Sequence, residues 1–206
     1  MNYSAAGIAR SCLPRTFAAK NGLPVELHRL PAAAGQRLVD MYLAFQPRNS
    51  FQGLPPIKDA VCVRWVQDML ATGIHLTAMS PDDALIGHAA LFPINTSKCE
   101  LLVVVCPGFQ NLGVGTQLVQ SCVELAGELG FQQIWLPVDA TNVRARCVYR
   151  KCGFEYVSDK RGHELDMTCN VRAGRPATIG TLHDADPSVP APCFRFPELS
   201  LVVERN

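Results

Sequence analysis

The chain has 206 residues, of which 48% are hydrophobic and 18% charged, so it can bury a substantial core as one domain with terminal extensions. Its formal net charge of +1 and its pI near 7.6 provide no global attraction to nucleic acid or to an anionic membrane surface. No apolar stretch reaches the ~20 residues that a membrane-spanning helix needs. These values exclude a chain disordered throughout and predict neither nucleic acid nor a membrane as a partner.

The nine cysteines do not have the arrangement of a disulfide framework. Their number is odd, no Cys-x-x-Cys pair occurs, and most of them lie inside predicted strands and helices. This usage predicts reduced thiols in a cytoplasmic protein and no metal site.

The first elements alternate between strand and helix. Residues 1–22 carry basic side chains and no acid, but Pro14 interrupts any amphipathic helix, so we expect an extension and not a transit peptide. Val25 to Leu30 alternates like a strand, and Gly35 to Phe45 has helical apolar spacing. The proline-rich segment from Gln46 to Pro56 predicts a structured loop.

A second helix is predicted over Val61 to Leu70, followed by two strands that pair as a hairpin, His75 to Met79 and Leu85 to Phe92. The apolar run from Leu101 to Cys106 is too short for a helix and predicts a strand buried on both faces.

A glycine-bearing loop follows that strand. Gln110 to Gly115 leads into a helix whose apolar residues are spaced by three and four, with Gly130 as its C-terminal cap. Unpaired N–H groups and the positive end of the helix dipole favour a phosphate or pyrophosphate at such a helix start. The loop lacks the Gly-Lys-Ser/Thr ending and the third glycine of two other phosphate-binding patterns. It therefore predicts a nucleotide or coenzyme A as ligand.

Two patterns resemble the motifs of one family. Residues 105–115 read Val-x-Pro-x-x-Gln-x-x-Gly-x-Gly, which resembles motif A of the GNAT acetyltransferase superfamily. A helix and a strand later, the order Asn-x-x-Ala-x-x-x-Tyr-x-x-x-Gly-Phe resembles motif B and is carried by Asn142, Ala145, Tyr149, Gly153 and Phe154.

The resemblance implies an α/β (α+β) GNAT fold: a mixed, mostly antiparallel sheet of about seven strands, splayed between strands 4 and 5 and flanked by about four helices. It places the acetyltransferase domain at residues 23–172, between the N-terminal extension and a proline-rich C-terminal extension over residues 173–206. Within that extension, the alternating segment from Leu199 to Val203 is expected to dock on a sheet edge.

The same resemblance implies acetyl-CoA in the split of the sheet. The fourth strand would meet the thioester carbonyl with a backbone N–H, and residues of the second motif helix would contact the coenzyme or its adenosine phosphate. The expected coenzyme residues are Val103, Val105, Gln110, Asn111, Leu112, Gly113, Val114, Gly115, Thr116, Asn142, Arg150 and Lys151.

Two side chains are candidates for proton transfer. Glu100 opens the fourth strand among apolar neighbours, where desolvation would raise its pKa toward that of a general base; the alternative is a solvated charge at the strand end. Tyr149 lies seven residues after Asn142 on one face of the helix, so its phenol could protonate the departing thiolate; the alternative is a packed core tyrosine. His88, on the third strand, is expected to be a core histidine.

The expected function is acetyl-CoA-dependent N-acetyl transfer to a primary amine by direct transfer. Phe51, Gln52 and Leu54, on the loop between the first two helices, are expected to line the acceptor site. The rivals are a non-catalytic acyl-CoA-binding or interaction module of the same fold and an acyltransferase using a longer acyl-CoA. The acceptor, a small-molecule or peptide amine, and the oligomeric state, with a homodimer as one option, stay open.

Overall fold

The computed structural model describes residues 13–31, 34–48, 54–157 and 163–171. The predicted loop residues Phe51 and Gln52 and the C-terminal extension lie outside these ranges. No helix within them is long and apolar enough to cross a membrane.

Eight strands and four α-helices make up these ranges. The strands are β1 (Arg15–Ala18), β2 (Pro24–Arg29), β3 (Ile74–Met79), β4 (Leu85–Pro93), β5 (Lys98–Val105), β6 (Gln133–Asp139), β7 (Glu155–Tyr156) and β8 (Glu164–Asn170). The helices are α1 (Gly35–Ala44), α2 (Asp59–Thr72), α3 (Val114–Glu128) and α4 (Val143–Lys151).

All strands join one sheet in the order β1-β2-β3-β4-β5-β6-β8-β7, and only the β5–β6 pair is parallel. This mixed, mostly antiparallel sheet with four helices confirms the predicted fold class. The sequence reading missed β1, which lies within residues 1–22. The predicted split between the fourth and fifth strands therefore corresponds to β5 and β6.

Two hydrophobic clusters cover the two faces of the sheet. On one face, α3 packs against β3, β4 and β5 and buries Leu118 and Leu125, and Tyr149 of α4 joins this cluster. On the other face, α1 and α2 pack through residues such as Tyr42 and Trp65. Leu118 is fully buried, and a Leu-to-Ala change at such a position typically costs about 2–5 kcal/mol.

A buried hydrogen-bond chain ties α1 and α2 to β3 and β4. It runs from the Met69 carbonyl to His75 Nε2 (3.0 Å), from His75 Nδ1 to His88 Nε2 (2.9 Å), and from His88 Nδ1 to the Tyr42 hydroxyl (2.8 Å). A carbonyl only accepts, so His75 Nε2 donates to it, His88 donates to His75, and Tyr42 donates to His88. Burial lowers the pKa of both imidazoles, which favours these neutral forms. His88 is thus a fully buried, hydrogen-bonded core residue.

Candidate active site

The sheet splits where β5 and β6 stop pairing. Their parallel ladder covers only Lys98–Glu100 and Gln133–Trp135. The Gln133 N–H donates to the Ser97 carbonyl (3.1 Å), so the N–H groups of odd-numbered β6 residues face β5. After residues 133 and 135, the third N–H group facing β5 would come from position 137, but Pro137 has no N–H. Proline therefore ends the ladder on the side of β5, while β6 stays paired with β8 as far as Asp139.

Beyond the split, one edge of β5 faces the opening. The Cys106 N–H donates to the Ile86 carbonyl (2.9 Å), so even-numbered residues of this segment direct their backbone groups to β4. Val103 and Val105 direct theirs to the opening, as the side-chain amide of Gln110 shows by donating to the Val105 carbonyl (3.1 Å). Val103 and Val105 are thus placed to offer backbone N–H groups to a ligand in the cleft.

The split opens into a cavity of about 930 Å³. Phe45 and Pro47 line it from the α1 side, and the residues of α3 and α4 line it from the other, so it spans both faces of the sheet. Most of the residues predicted to hold the coenzyme line this cavity: Val103, Val105, Gln110, Asn111, Leu112, Gly113, Gly115, Thr116, Asn142 and Lys151.

The start of α3 presents free backbone N–H groups beside the cavity. Gly113 is the N-cap and has φ +94°, a conformation that L side chains rarely adopt. Its carbonyl accepts from the Gln117 N–H (3.1 Å), which leaves the N–H groups of Val114, Gly115 and Thr116 without a partner inside the helix. The first turn of α3 contains no acidic residue that would compete for them. These groups and the helix dipole fit a pyrophosphate.

Val114 takes part only through its backbone. Its side chain is 1% exposed, belongs to the core and is not among the cavity-lining residues.

Within the described part of the chain, three cationic side chains line the cavity: Lys20, Arg144 and Lys151. Of these three, only Lys151 is among the coenzyme residues predicted from the sequence. Arg150, which was also predicted, is exposed and is not among the lining residues. Arg146 is engaged elsewhere, because it donates to the Ala140 carbonyl (2.7 Å) and to the Tyr156 hydroxyl (2.8 Å).

Tyr149 lines the same cavity from α4 and is 9% exposed. The centroid of its ring lies 5.7 Å from that of Phe154, in a tilted contact. Burial raises the pKa of Tyr149 to about 12, with a smaller contribution from Cys152, so the phenol keeps its proton at neutral pH. It can therefore donate a proton to a group in the cavity.

Asn142 begins the same helix. Its Oδ1 accepts from the Ala145 N–H (3.1 Å), which makes it the N-cap of α4. The side chain therefore fixes the helix that carries Tyr149, and it also lines the cavity.

Glu100 is the last residue of β5 that pairs with β6, and it lies opposite Trp135. It is not among the cavity-lining residues. The alternation along β5 puts it on the same face as Val104, which packs with α1 and α2. Desolvation, and secondly the charge of Glu164, raise the pKa of Glu100 to about 7. A carboxyl group with this pKa can accept a proton at neutral pH.

The predicted acceptor residues divide between described and undescribed parts of the chain. Leu54 is 7% exposed and packs in the cluster of α1 and α2, and it does not line the cavity. Phe51 and Gln52 fall outside the described ranges.

Arg48 links the two ends of the segment between α1 and α2 through hydrogen bonds. It donates to the Ile57 carbonyl (2.9 Å), to Asp59 Oδ1 (2.6 Å) and to the Leu43 carbonyl, and its side chain is only 13% exposed. No sequence motif marked Arg48, since its role depends on carbonyls that the fold brings together.

The described residues hold seven free thiols and no cluster of three or more His, Cys, Asp or Glu side chains that could hold a metal ion. Cys147 is exposed and lines the cavity.

A split sheet, free N–H groups at a helix start and a protonated phenol lining one cavity are features that suit an enzyme with a phosphorylated coenzyme. The chain belongs to the acetyltransferase (GNAT) family, which it matches over residues 39–154. It is an acetyltransferase, as the sequence predicted. No curated protein matches the sequence significantly.

Solved structures show the same fold at low sequence identity. The GNAT domain of S. lividans PAT has a TM-score of 0.66 and 14% identity, over 76% of this chain and 96% of that one. Spermidine N-acetyltransferase from Vibrio cholerae, in complex with CoA and spermine, has a TM-score of 0.58 and 17% identity, over 71% and 95%. The PaiA N-acetyltransferase from Thermoplasma acidophilum, in complex with coenzyme A, has a TM-score of 0.55 and 18% identity, over 71% and 98%.

Proposed function

We propose that this chain is an acetyl-CoA-dependent N-acetyltransferase that transfers the acetyl group directly to a primary amine. The observation that carries the proposal is the juxtaposition, in one cavity, of the free N–H groups at the start of α3 and the protonated phenol of Tyr149. A non-catalytic binding module would need the first feature but not the second. The free thiols suit a reducing compartment such as the cytoplasm.

The coenzyme is held mainly by backbone groups in this proposal. The amides of Val114, Gly115 and Thr116 would hold the pyrophosphate, and Gly113 allows the loop to turn into the helix. An N–H of Val103 or Val105 meets the thioester carbonyl oxygen and stabilises negative charge that develops there. On α4, Lys151 contacts a coenzyme phosphate. For Arg150 the support is the family resemblance alone.

Bound acetyl-CoA supplies an activated acetyl group, and two side chains handle the protons. Glu100, with a pKa of about 7, removes a proton from the acceptor ammonium or amine, directly or through water. Tyr149 holds a proton on its hydroxyl until the thiolate departs and then gives it up. The two side chains belong to opposite faces of the sheet: Glu100 shares a face with Val104, which packs with α1 and α2, and Tyr149 packs in the cluster of α3. This separation supports the division of roles between an acceptor side and a coenzyme side.

The acceptor enters from the side of α1 and α2 in this proposal. Phe45 and Pro47 line that part of the cavity, and the loop carrying Phe51, Gln52 and Leu54 follows directly. Several of the structural neighbours are spermidine N-acetyltransferase from Vibrio cholerae or variants of that one protein, which makes polyamines the first acceptors to test.

The experiment is a steady-state measurement of free CoA with acetyl-CoA and a panel of polyamines, drug-like amines, lysine and peptides. Chromatographic detection is needed because the exposed Cys147 would react with thiol reagents. Release of CoA that depends on one amine class supports the proposal. Tight acetyl-CoA binding with no amine-dependent release would favour the non-catalytic module. Faster release from a longer acyl-CoA would favour the alternative acyltransferase.

A further inference from the structure

The N-terminal hairpin contacts the loop from Gln110 to Gly115, although the hairpin precedes residue 39, where the family match begins. Strands β1 and β2 pair antiparallel from Arg15 to Leu27. Their turn is fixed by two backbone hydrogen bonds of 2.8 Å, from the Gly22 N–H to the Ala19 carbonyl and from the Ala19 N–H to the Leu23 carbonyl. Gly22 has φ +83°, as such a tight turn requires.

Lys20 lies in this turn and contacts the loop through its backbone. Its N–H donates to the Leu112 carbonyl (3.0 Å), directly before the N-cap of α3. An ion pair between Arg15 and Glu124 (2.6 Å) holds β1 against α3 as well. The root of the Lys20 side chain is therefore fixed beside the anion site, and Lys20 lines the cavity.

The charge of Lys20 is available to an anion. Its side chain is exposed, and it takes part in none of the ion pairs found within the described ranges. Of the described residues that line the cavity, only Asp139 carries a carboxylate, and its Oδ1 already accepts from the N–H and the hydroxyl of Thr141 (2.7 and 2.6 Å). An ammonium group beside free helix N–H groups favours a phosphate.

We propose that the Lys20 ammonium binds a phosphate group of the coenzyme, so that the N-terminal hairpin is part of the coenzyme site. The inference rests on the proposed function, because coenzyme A is the phosphate-bearing ligand. Both the pyrophosphate and the 3′-phosphate offer the required chemistry, and 3′-dephospho-CoA distinguishes them.

The test is calorimetric titration of CoA and 3′-dephospho-CoA into the wild type and into Lys20→Gln, at low and high salt. Lys20→Gln is expected to weaken CoA binding about five- to tenfold at low salt, since a hydrogen bond to a charged group is lost at an exposed position. The loss shrinks at high salt, because salt screens exposed charges. A loss for both ligands assigns Lys20 to the pyrophosphate, and a loss for CoA alone assigns it to the 3′-phosphate.

Two variants serve as controls. Lys20→Arg keeps the charge and should bind CoA within about twofold of the wild type. Lys58→Gln removes an exposed charge at the N-cap of α2, outside the cavity lining, and should bind like the wild type. An unaltered CoA affinity in Lys20→Gln, or an equal loss of affinity in Lys58→Gln, would overturn the inference about Lys20 and leave the proposed function standing. A wild type that binds neither ligand would overturn the proposed function and the inference together.

Discussion

Replacing Glu100 by Gln tests the proposed base, because the substitution keeps the shape of the side chain and removes its titration. In the folded protein the pKa of Glu100 is raised from 4.5 to about 7, which corresponds to a penalty of about 3 kcal/mol on the ionised form. The ionised fraction is then about one-half at pH 7 and about one-tenth at pH 6. The base becomes available as the pH rises through 7, so kcat/KM should fall about tenfold per pH unit below that value.

The assay is kcat/KM between pH 5.5 and 9 at constant ionic strength, with chromatographic detection of CoA. Glu100→Gln should remove the acidic limb of the pH profile of kcat/KM, the fall in kcat/KM below pH 7. It should also lower kcat/KM at pH 8 by roughly 10²–10⁴-fold, the usual range for loss of general-base catalysis. Glu164→Gln is a graded test: the charge of Glu164 helps to raise the pKa of Glu100, so its removal should move the limb to lower pH without abolishing it. Glu26→Gln, on β2, should leave the profile unchanged. A Glu100→Gln enzyme that keeps the limb near pH 7 would refute the assignment.

Three further substitutions test the anion site, the proton donor and the acceptor side. Gly113→Asp should weaken CoA binding far more than Gly113→Ala in calorimetry, because both strain a residue at φ +94° but only Asp brings a negative charge; equal losses would refute an anion site there. Tyr149→Phe should lower turnover roughly 10²–10⁴-fold with little change in acetyl-CoA affinity, since the buried ring is kept and only the proton donor is lost; turnover within a factor of two would assign thiolate protonation to another group. Arg48→Lys should raise the acceptor KM several-fold and lower the free energy of unfolding by about 1–3 kcal/mol, because it loosens the hydrogen bonds that residue 48 donates to Leu43, Ile57 and Asp59. Its control is Arg64→Lys, on the exposed side of α2, and an unchanged acceptor KM would count against a role of Arg48 at the acceptor side.

The parts of the site that repeat a local pattern could be predicted from sequence. The Gln110 to Gly115 loop, the helix after it and the position of Tyr149 follow from glycine spacing and helical periodicity, which act over a few residues. The α4 helix start at Asn142 has the capping geometry that its residue type favours.

The parts that depend on contacts between distant segments could not be predicted in this way. Strand β1 has four residues, too few for alternation to identify it, and so Lys20 was assigned to an extension. The role of Pro137 requires knowing which backbone N–H groups of β6 face β5, which only the pairing register reveals. The role of Arg48 requires two helix ends that the fold brings together.

Transfer of a labelled acetyl group tests the central claim most directly. The wild type is incubated with acetyl-CoA carrying ¹³C in the acetyl group and with the amine that gave the fastest CoA release, and the products are measured by mass spectrometry. The proposed function predicts labelled amide in an amount equal to the free CoA, and neither product above background with Gly113→Asp. CoA release accompanied by labelled acetate and no labelled amide would contradict it.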